Sequence, residues 1–111
     1  MNEISEICKL AMECIVRDDY SPLEICNALK RVTEADIKRV LLEYDPDGQP
    51  VMPPDGYFEQ VPCVIPYHDN SGWHVDIDFW YSSGQSDLTL LLDIRKRQGQ
   101  LSFIIDDLRV M

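Results

Sequence analysis

A histidine and two aspartates alternate along one segment of the chain, at His74, Asp76 and Asp78. If this segment is a β-strand, the three side chains share one face, because successive strand residues point to opposite faces. Imidazole and carboxylate groups at that spacing could hold a divalent metal ion and support metal-assisted hydrolysis. The basic residues that would stabilise a phosphate transition state are missing nearby. A metal-dependent hydrolase is therefore the alternative, and we predict no metal, no cofactor and no enzymatic activity.

Other catalytic patterns are also missing from the sequence. It contains no glycine-rich phosphate loop, no G-x-S-x-G motif and no cysteine with a plausible histidine partner. The four cysteines form no C-x-x-C pair. We expect them to be reduced and buried, with Cys8, Cys14 and Cys26 on helices and Cys63 on the apolar side of a strand.

The net charge is the first distinctive property of the sequence. Twenty acidic residues against ten basic ones give a formal net charge of −10 in a chain of 111 residues. No Lys or Arg lies between Arg39 and Arg95, whereas ten acidic residues do. A field of this sign repels nucleic-acid phosphates and attracts basic proteins, so we expect no nucleic-acid partner.

The compartment is predicted from two further observations. No apolar run approaches the roughly 18–20 residues that span a bilayer. The N-terminal residues include acids where a signal peptide would carry basic residues. We therefore expect a cytoplasmic protein with no membrane partner.

Residues 1–44 predict a helical half. Apolar residues recur there at the spacing of an amphipathic helix. Ser21 and Glu24 have the spacing of a capping box, which predicts the start of a second helix, and Thr33 and Asp36 predict a third in the same way. The residues expected on the buried face of the second helix are Ile25, Ala28, Leu29 and Val32.

Residues 45–56 contain four prolines and two glycines, and they predict a connector to a strand half at 57–111. From residue 57 apolar residues alternate with polar ones, which predicts four strands. The first, around 57–67, contains prolines and belongs at an edge of the sheet. We predict one α+β domain over residues 1–111, with three N-terminal helices packed on one face of a four-stranded antiparallel meander.

The same alternation predicts which residues share the face of the sheet that points away from the helices. Two turns of four residues, at 82–85 and 96–99, would fix the register. This face then gathers five carboxylates with no basic residue at its centre. The expected pairs are Asp78 with Thr89 and Leu92 with Phe103, and the expected rows are His74–Asp93–Ser102, Asp76–Leu91–Ile104, Asp78–Thr89–Asp106 and Trp80–Asp87–Leu108.

Acidic residues around an apolar centre are typical of a protein-binding surface, in which a tryptophan such as Trp80 would be the anchor. Two other interpretations stay open: an ordinary solvated sheet face, and a face covered by the N-terminal helix or by a homodimer partner. The candidate partner-binding residues are Asp76, Asp78, Trp80, Asp87, Leu91, Asp93, Ile104 and Asp106.

Several segments resemble an uncharacterised bacterial domain family, over about residues 40–111. They are Tyr44 with Pro53–Pro54, WHVDIDFW at 73–80, SDLTL at 86–90 and DDLRVM at 106–111. That resemblance implies no activity.

By size and charge the chain also resembles the immunity proteins of bacterial contact-dependent growth inhibition and related polymorphic toxin systems. This second resemblance implies a cytosolic, antitoxin-like protein that binds a cognate toxin domain, often a basic nuclease, and blocks its active site. An acidic sheet face without catalytic groups fits such a role.

Overall fold

The computed structural model describes residues 3–60 and 63–111. The helices are α1 (Glu3–Val16), α2 (Ser21–Ile25), α3 (Glu34–Tyr44) and α4 (Tyr57–Gln60). The strands are β1 (Cys63–Pro66), β2 (Gly72–Tyr81), β3 (Gly84–Arg97) and β4 (Gln100–Val110). They form one antiparallel sheet in the order β1-β2-β3-β4, which confirms the predicted α+β class and meander. Among the described residues, no helix is long and apolar enough to cross a membrane.

The start of α3 is fixed by a capping box, as the sequence predicts. The Thr33 hydroxyl accepts a hydrogen bond from the Asp36 N–H at 3.2 Å, and the Asp36 carboxylate accepts one from the Thr33 N–H at 3.0 Å. Two N–H groups that the helix itself cannot satisfy are thereby paired. These hydrogen bonds also lower the pKa of the Asp36 carboxyl.

The predicted second helix is wrong in its start and in its length. Tyr20 occupies the N-cap position without a side-chain hydrogen bond, and Asp19 accepts the Ser21 N–H at 3.3 Å in place of the predicted capping box. The helix ends after one turn because Asn27 adopts a left-handed conformation with φ 61°, which asparagine tolerates. Ile25, predicted to be buried, is 82% exposed.

The four cysteines differ in their exposure to solvent. Cys8 and Cys14 are buried on α1, whereas Cys26 and Cys63 are exposed, so the prediction of burial is wrong for the latter two. Cys26 follows the end of the short α2, and Cys63 lies on an edge strand whose four residues are all exposed. All four thiols are free.

The predicted first strand begins instead with a helical turn, α4, which is a fourth helix that the alternation did not predict. Tyr57 and Phe58 are adjacent and both buried, which a helical turn permits and strand alternation does not. Gly56, with φ 88°, turns the chain into this helix. The proline at position 62, which was part of the edge prediction, lies outside the described residues, whereas Pro66 lies on the edge strand β1.

The core lies between one face of the sheet and the helices. Its residues from α1 follow the predicted apolar stripe, and its strand residues alternate along each strand. The strand residues of the core are Val75, Ile77 and Phe79 of β2, Leu88, Leu90, Leu92 and Ile94 of β3, and Phe103, Ile105 and Leu108 of β4.

The turn between β2 and β3 is shorter than predicted, but part of the predicted register holds. Tyr81 pairs with Gly84, so the turn has two residues instead of four. A bulge between Asp78 and Trp80 shifts the register and brings Asp78 opposite Thr89, as predicted. The pairs His74–Asp93 and Asp76–Leu91 follow from the same register.

The register between β3 and β4 differs from the prediction by two residues. Gln98 and Gly99 both have positive φ and form a two-residue turn, so Leu92 faces Ile105 and not Phe103. A slip of two residues keeps every side chain on its predicted face. A second bulge at Asp106 then reverses the faces of the residues that follow.

The reversal at Asp106 decides where the last residues of β4 lie. Leu108 faces Leu90 and is buried on the core face, so its predicted position opposite Asp87 is wrong. Asp107 faces Leu91 and Arg109 faces Thr89 on the other face.

Candidate functional site

The candidate site lies on the sheet face opposite the core, which we call the open face. Alternation along β2 puts His74, Asp76 and Asp78 there, because Val75, Ile77 and Phe79 point into the core. The observed rows across the sheet are Ile65–His74–Asp93–Ile104, Cys63–Asp76–Leu91–Asp107 and Asp78–Thr89–Arg109.

The central residues of the open face are buried. Thr89 is 1% exposed, Leu91 2% and Asp93 8%, although they point away from the helices. Thr89 donates to the Asp78 carboxylate at 3.1 Å, and Leu91 lies between the polar rows on either side of it. Leu91 is therefore not the exposed apolar centre that the sequence predicts.

Asp93 is the centre of a hydrogen-bonded cluster. It accepts from the Tyr67 hydroxyl at 2.9 Å and pairs with the Arg95 guanidinium at 3.0 Å. Arg95 also lies 4.6 Å from the centroid of the Tyr67 ring and donates to Ser71. Burial, and then the hydrogen bond to Asp93, raise the pKa of Tyr67. The charge of Asp93 is thus compensated inside the protein.

Asp106, a second candidate aspartate, and its neighbour Asp107 also have arginine partners, so the prediction of an acidic face without basic residues is wrong. Arg31 forms an ion pair with Asp106, and Arg109 lies 3.6 Å from Asp107. Asp87 accepts from the Tyr44 hydroxyl of α3 at 2.5 Å, toward the end of the sheet.

Asp76 and Asp78 differ from Asp93 and Asp106, which have arginine partners. Asp76 is 2.7 Å from Nε2 of His74, and Asp78 accepts from Gln85 at 2.7 Å and from Thr89. Neither has a Lys or Arg partner within residues 3–60 and 63–111. Asp87 shares this property, because its contact is the neutral Tyr44 hydroxyl, but Asp76 and Asp78 lie side by side on one face of β2.

The His74, Asp76 and Asp78 set does not form a metal site. In the described part of the chain, no three His, Cys, Asp or Glu side chains are arranged to hold a metal ion. The structure therefore gives no geometry for the metal-dependent alternative.

The Trp80 side chain is not freely exposed beside the acidic residues, because it packs against other side chains. Its ring packs edge-to-face on Tyr57, with centroids 5.9 Å apart, and its carbonyl accepts from the Val51 N–H at 2.7 Å. Its indole N–H is buried without an acceptor among the described residues. The register shift between Asp78 and Trp80 also brings Trp80 opposite Gln85, so its predicted pairing with Asp87 is wrong.

Sequence reasoning missed the arginines of the open face. Arg95 stands two residues after Asp93, and Arg109 two residues after Asp107. Because residues two apart on a strand share a face, this D-x-R spacing was the available signal. Ile104 is where the alternation predicts, on the open face and half-buried, but opposite Asp93.

The comparison with protein families gives a relationship over most of the chain. The profile of a family described as a domain of unknown function, DUF7668, matches residues 12–111. The chain belongs to this family. No curated protein and no solved structure matches it. Family membership assigns no activity, so a function has to be argued from the open face.

Proposed function

We propose that this protein is a cytoplasmic immunity protein, which binds a cognate basic toxin domain and is not an enzyme. The observation that supports the proposal is the pair Asp76 and Asp78 on β2, which has no Lys or Arg partner among the described residues of a chain with net charge −10. Complementary charge accelerates the encounter of two proteins and suppresses wrong partners.

The difference between aspartates with and without an arginine partner supports binding of a basic partner at Asp76 and Asp78. At Asp93, a partner's cation would compete with the Arg95 guanidinium that is already in contact. At Asp76 and Asp78 it would meet carboxylates bound only to neutral donors or to His74. The Asp76 side chain is 21% exposed, so a long Lys or Arg side chain is suited to reach it.

The strand next to these residues supplies exposed apolar contacts. Ile65 faces His74 and is 50% exposed, and Cys63 faces Asp76 and is also exposed. We infer that Ile65 takes the anchoring role that the sequence assigned to Trp80. Apolar and acidic groups side by side suit a surface of a toxin that carries both basic and apolar residues.

The test starts from the neighbouring reading frame: a secreted protein encoded there would supply its C-terminal domain as the candidate toxin in a growth-protection assay. The double variant Asp76→Lys/Asp78→Lys should lose protection, and the affinity of the wild type should fall steeply with salt. The control Asp55→Lys/Glu59→Lys makes the same change in net charge at exposed residues elsewhere and should protect like the wild type.

Two results would count against different parts of the proposal. If the wild type neither binds the toxin domain nor protects cells, the immunity function is rejected. If the Asp76/Asp78 variant protects as well as the control, the function stands but this surface is wrong.

A further inference from the structure

The two outer edges of the sheet are built differently, and the β1 edge is closed to further strands. The Tyr67 N–H donates to the Gly72 carbonyl at 2.9 Å. Because bonding alternates along an antiparallel strand, the backbone groups of Val64 and Pro66 point outwards. Proline has no N–H, so Val64 offers the outward donor of this short strand.

The part of β2 that extends beyond β1 is covered too. The Asp78 N–H donates to the Tyr57 hydroxyl at 2.9 Å. The Trp80 carbonyl accepts from Val51. This side of the sheet shows the protection that natural proteins give to exposed strand edges.

The β4 edge lacks such protection over Gln100–Ile104. The Ile105 N–H points outwards and donates to the Ala28 carbonyl at 2.9 Å. By the same alternation, Leu101 and Phe103 direct their N–H and carbonyl groups outwards. In residues 3–60 and 63–111, neither makes a backbone hydrogen bond beyond the sheet. The segment contains no proline and no charged residue.

We propose that a second copy of this chain pairs with the free β4 edge. The two β4 strands run antiparallel about a twofold axis at Ser102, and the two four-stranded sheets join into one. Leu101 of each copy then exchanges backbone hydrogen bonds with the partner's Phe103. Both copies use the same segment, as a twofold interface requires.

The charges next to this edge favour a second copy over a basic partner. Lys96 and Arg97 lie at the tip of the β3–β4 hairpin, and neither has an ion-pair partner among the described residues. They repel a basic protein. In the twofold arrangement the partner's Arg97 lies two strands away, at about 10 Å and level with Ile104, where it meets a second copy of an acidic chain with net charge −10.

An exposed apolar residue beside the edge supports the same contact. Ile25 is 82% exposed and precedes Ala28 by three residues, so it lies within about 11 Å of the residue that bonds to β4. The inference is independent of the proposed function, because β4 lies at the opposite edge of the sheet from β1.

The experiment compares Ser102→Lys with Ser83→Lys by sedimentation equilibrium from micromolar to millimolar concentration. Ser102 is exposed on the axis, so its lysine would face a second lysine across the pairing, whereas Ser83 is exposed in the β2–β3 turn. We expect a wild-type dimer that dissociates at low concentration, because the paired segment is short. Ser102→Lys should weaken it at least tenfold, and Ser83→Lys should leave it unchanged.

Amide hydrogen exchange locates the contact. At high concentration the N–H groups of Leu101 and Phe103 should exchange slowly in the wild type and in Ser83→Lys, and fast in the folded Ser102→Lys variant. The proposal is overturned if the wild type stays monomeric at millimolar concentration. The free edge would then be available to a different protein. A dimer that Ser102→Lys does not weaken also overturns the proposal.

Discussion

Strand β3 is buried on both of its faces, but by different means. Towards the helices, Leu90 and Leu92 are fully buried in an apolar core. Towards the open face, Leu91 and Asp93 are almost as well covered, at 2% and 8% exposed. The side chains around Asp93 and Thr89 are Arg95 of β3 itself, Asp78 of β2 and Tyr67 of the loop before β2, joined by hydrogen bonds and an ion pair.

The comparison shows how a sheet face without helices can still bury its centre. On the core face, packing and the removal of apolar surface from water supply the stability. On the open face, arginine, tyrosine and threonine side chains satisfy the buried polar groups, and their aliphatic and aromatic parts cover the strand. The pairing is incomplete at Asp76 and Asp78, and the proposed binding function depends on that difference.

The largest expected effect on stability comes from truncating a leucine of β3 to alanine, on the core face and on the open face in turn. Leu92→Ala should destabilise the protein by about 3–5 kcal/mol, because it leaves a cavity in a packed core. Leu91→Ala should cost about 2–3 kcal/mol, at the low end of the range, because flexible side chains on the open face can close over the gap. Urea denaturation of the two variants measures both values, and equal losses would contradict the distinction between the faces.

An intermediate effect is expected at the buried carboxylate of the open face. Asp93→Asn should destabilise the protein by about 1–3 kcal/mol, because Arg95 and Tyr67 lose a charged acceptor. Combining it with Tyr67→Phe should cost less than the sum of the single changes, since the two groups are in contact. Additive losses in a double-mutant cycle would mean that the cluster is not coupled.

The smallest expected effect concerns tyrosines on the core side at alkaline pH. Burial raises the pKa of Tyr57 and of Tyr81 to about 12 each. In the unfolded chain a tyrosine titrates near pH 10. The contribution of these two protonated tyrosines to the free energy of unfolding is therefore complete below pH 10 and is lost as the pH rises towards 12. Urea denaturation at pH 8 and pH 11 measures the loss.

Tyr81→Phe separates this effect from ordinary packing. The Tyr81 hydroxyl is buried without a partner among the described residues, so its removal should stabilise the protein by up to about 1 kcal/mol at pH 8 and reduce the alkaline loss. Tyr57→Phe is the matched control, and it should destabilise at pH 8 because the Asp78 N–H loses its acceptor. A destabilised Tyr81→Phe would show that this hydroxyl has a partner in solution.

The fold was predictable wherever side-chain alternation decides the answer. The pairs His74–Asp93, Asp76–Leu91 and Asp78–Thr89 are correct because the bulge after Asp78 compensates for a turn shorter than predicted. The extra residue at Asp106 was not predictable, because nothing in DDLRVM distinguishes a bulge from regular pairing. In the helical half, Ser21 and Glu24 match a capping box, but tertiary packing and the turn at Asn27 replaced it.

The candidate site was predictable by residue type more than by geometry. Asp76 and Asp78 are on the predicted face, but Trp80 turns towards Tyr57. The pairing of Asp106 with Arg31 joins residues far apart in sequence, and no local pattern specifies that contact. By contrast, the Asp93–Arg95 ion pair could have been predicted, because residues two apart on a strand share a face.

The bulge at Asp106 sets a rule for changes of length in homologues. Upstream of it, an insertion of two residues within Gln100–Ile104 would keep the flanking side chains on their faces, whereas an insertion of one would require another bulge. Deleting Asp106 would move Leu108 from the core face to solvent and Arg109 from solvent to the core face. Natural insertions and deletions within β4 should therefore come in pairs before this point and be excluded at it.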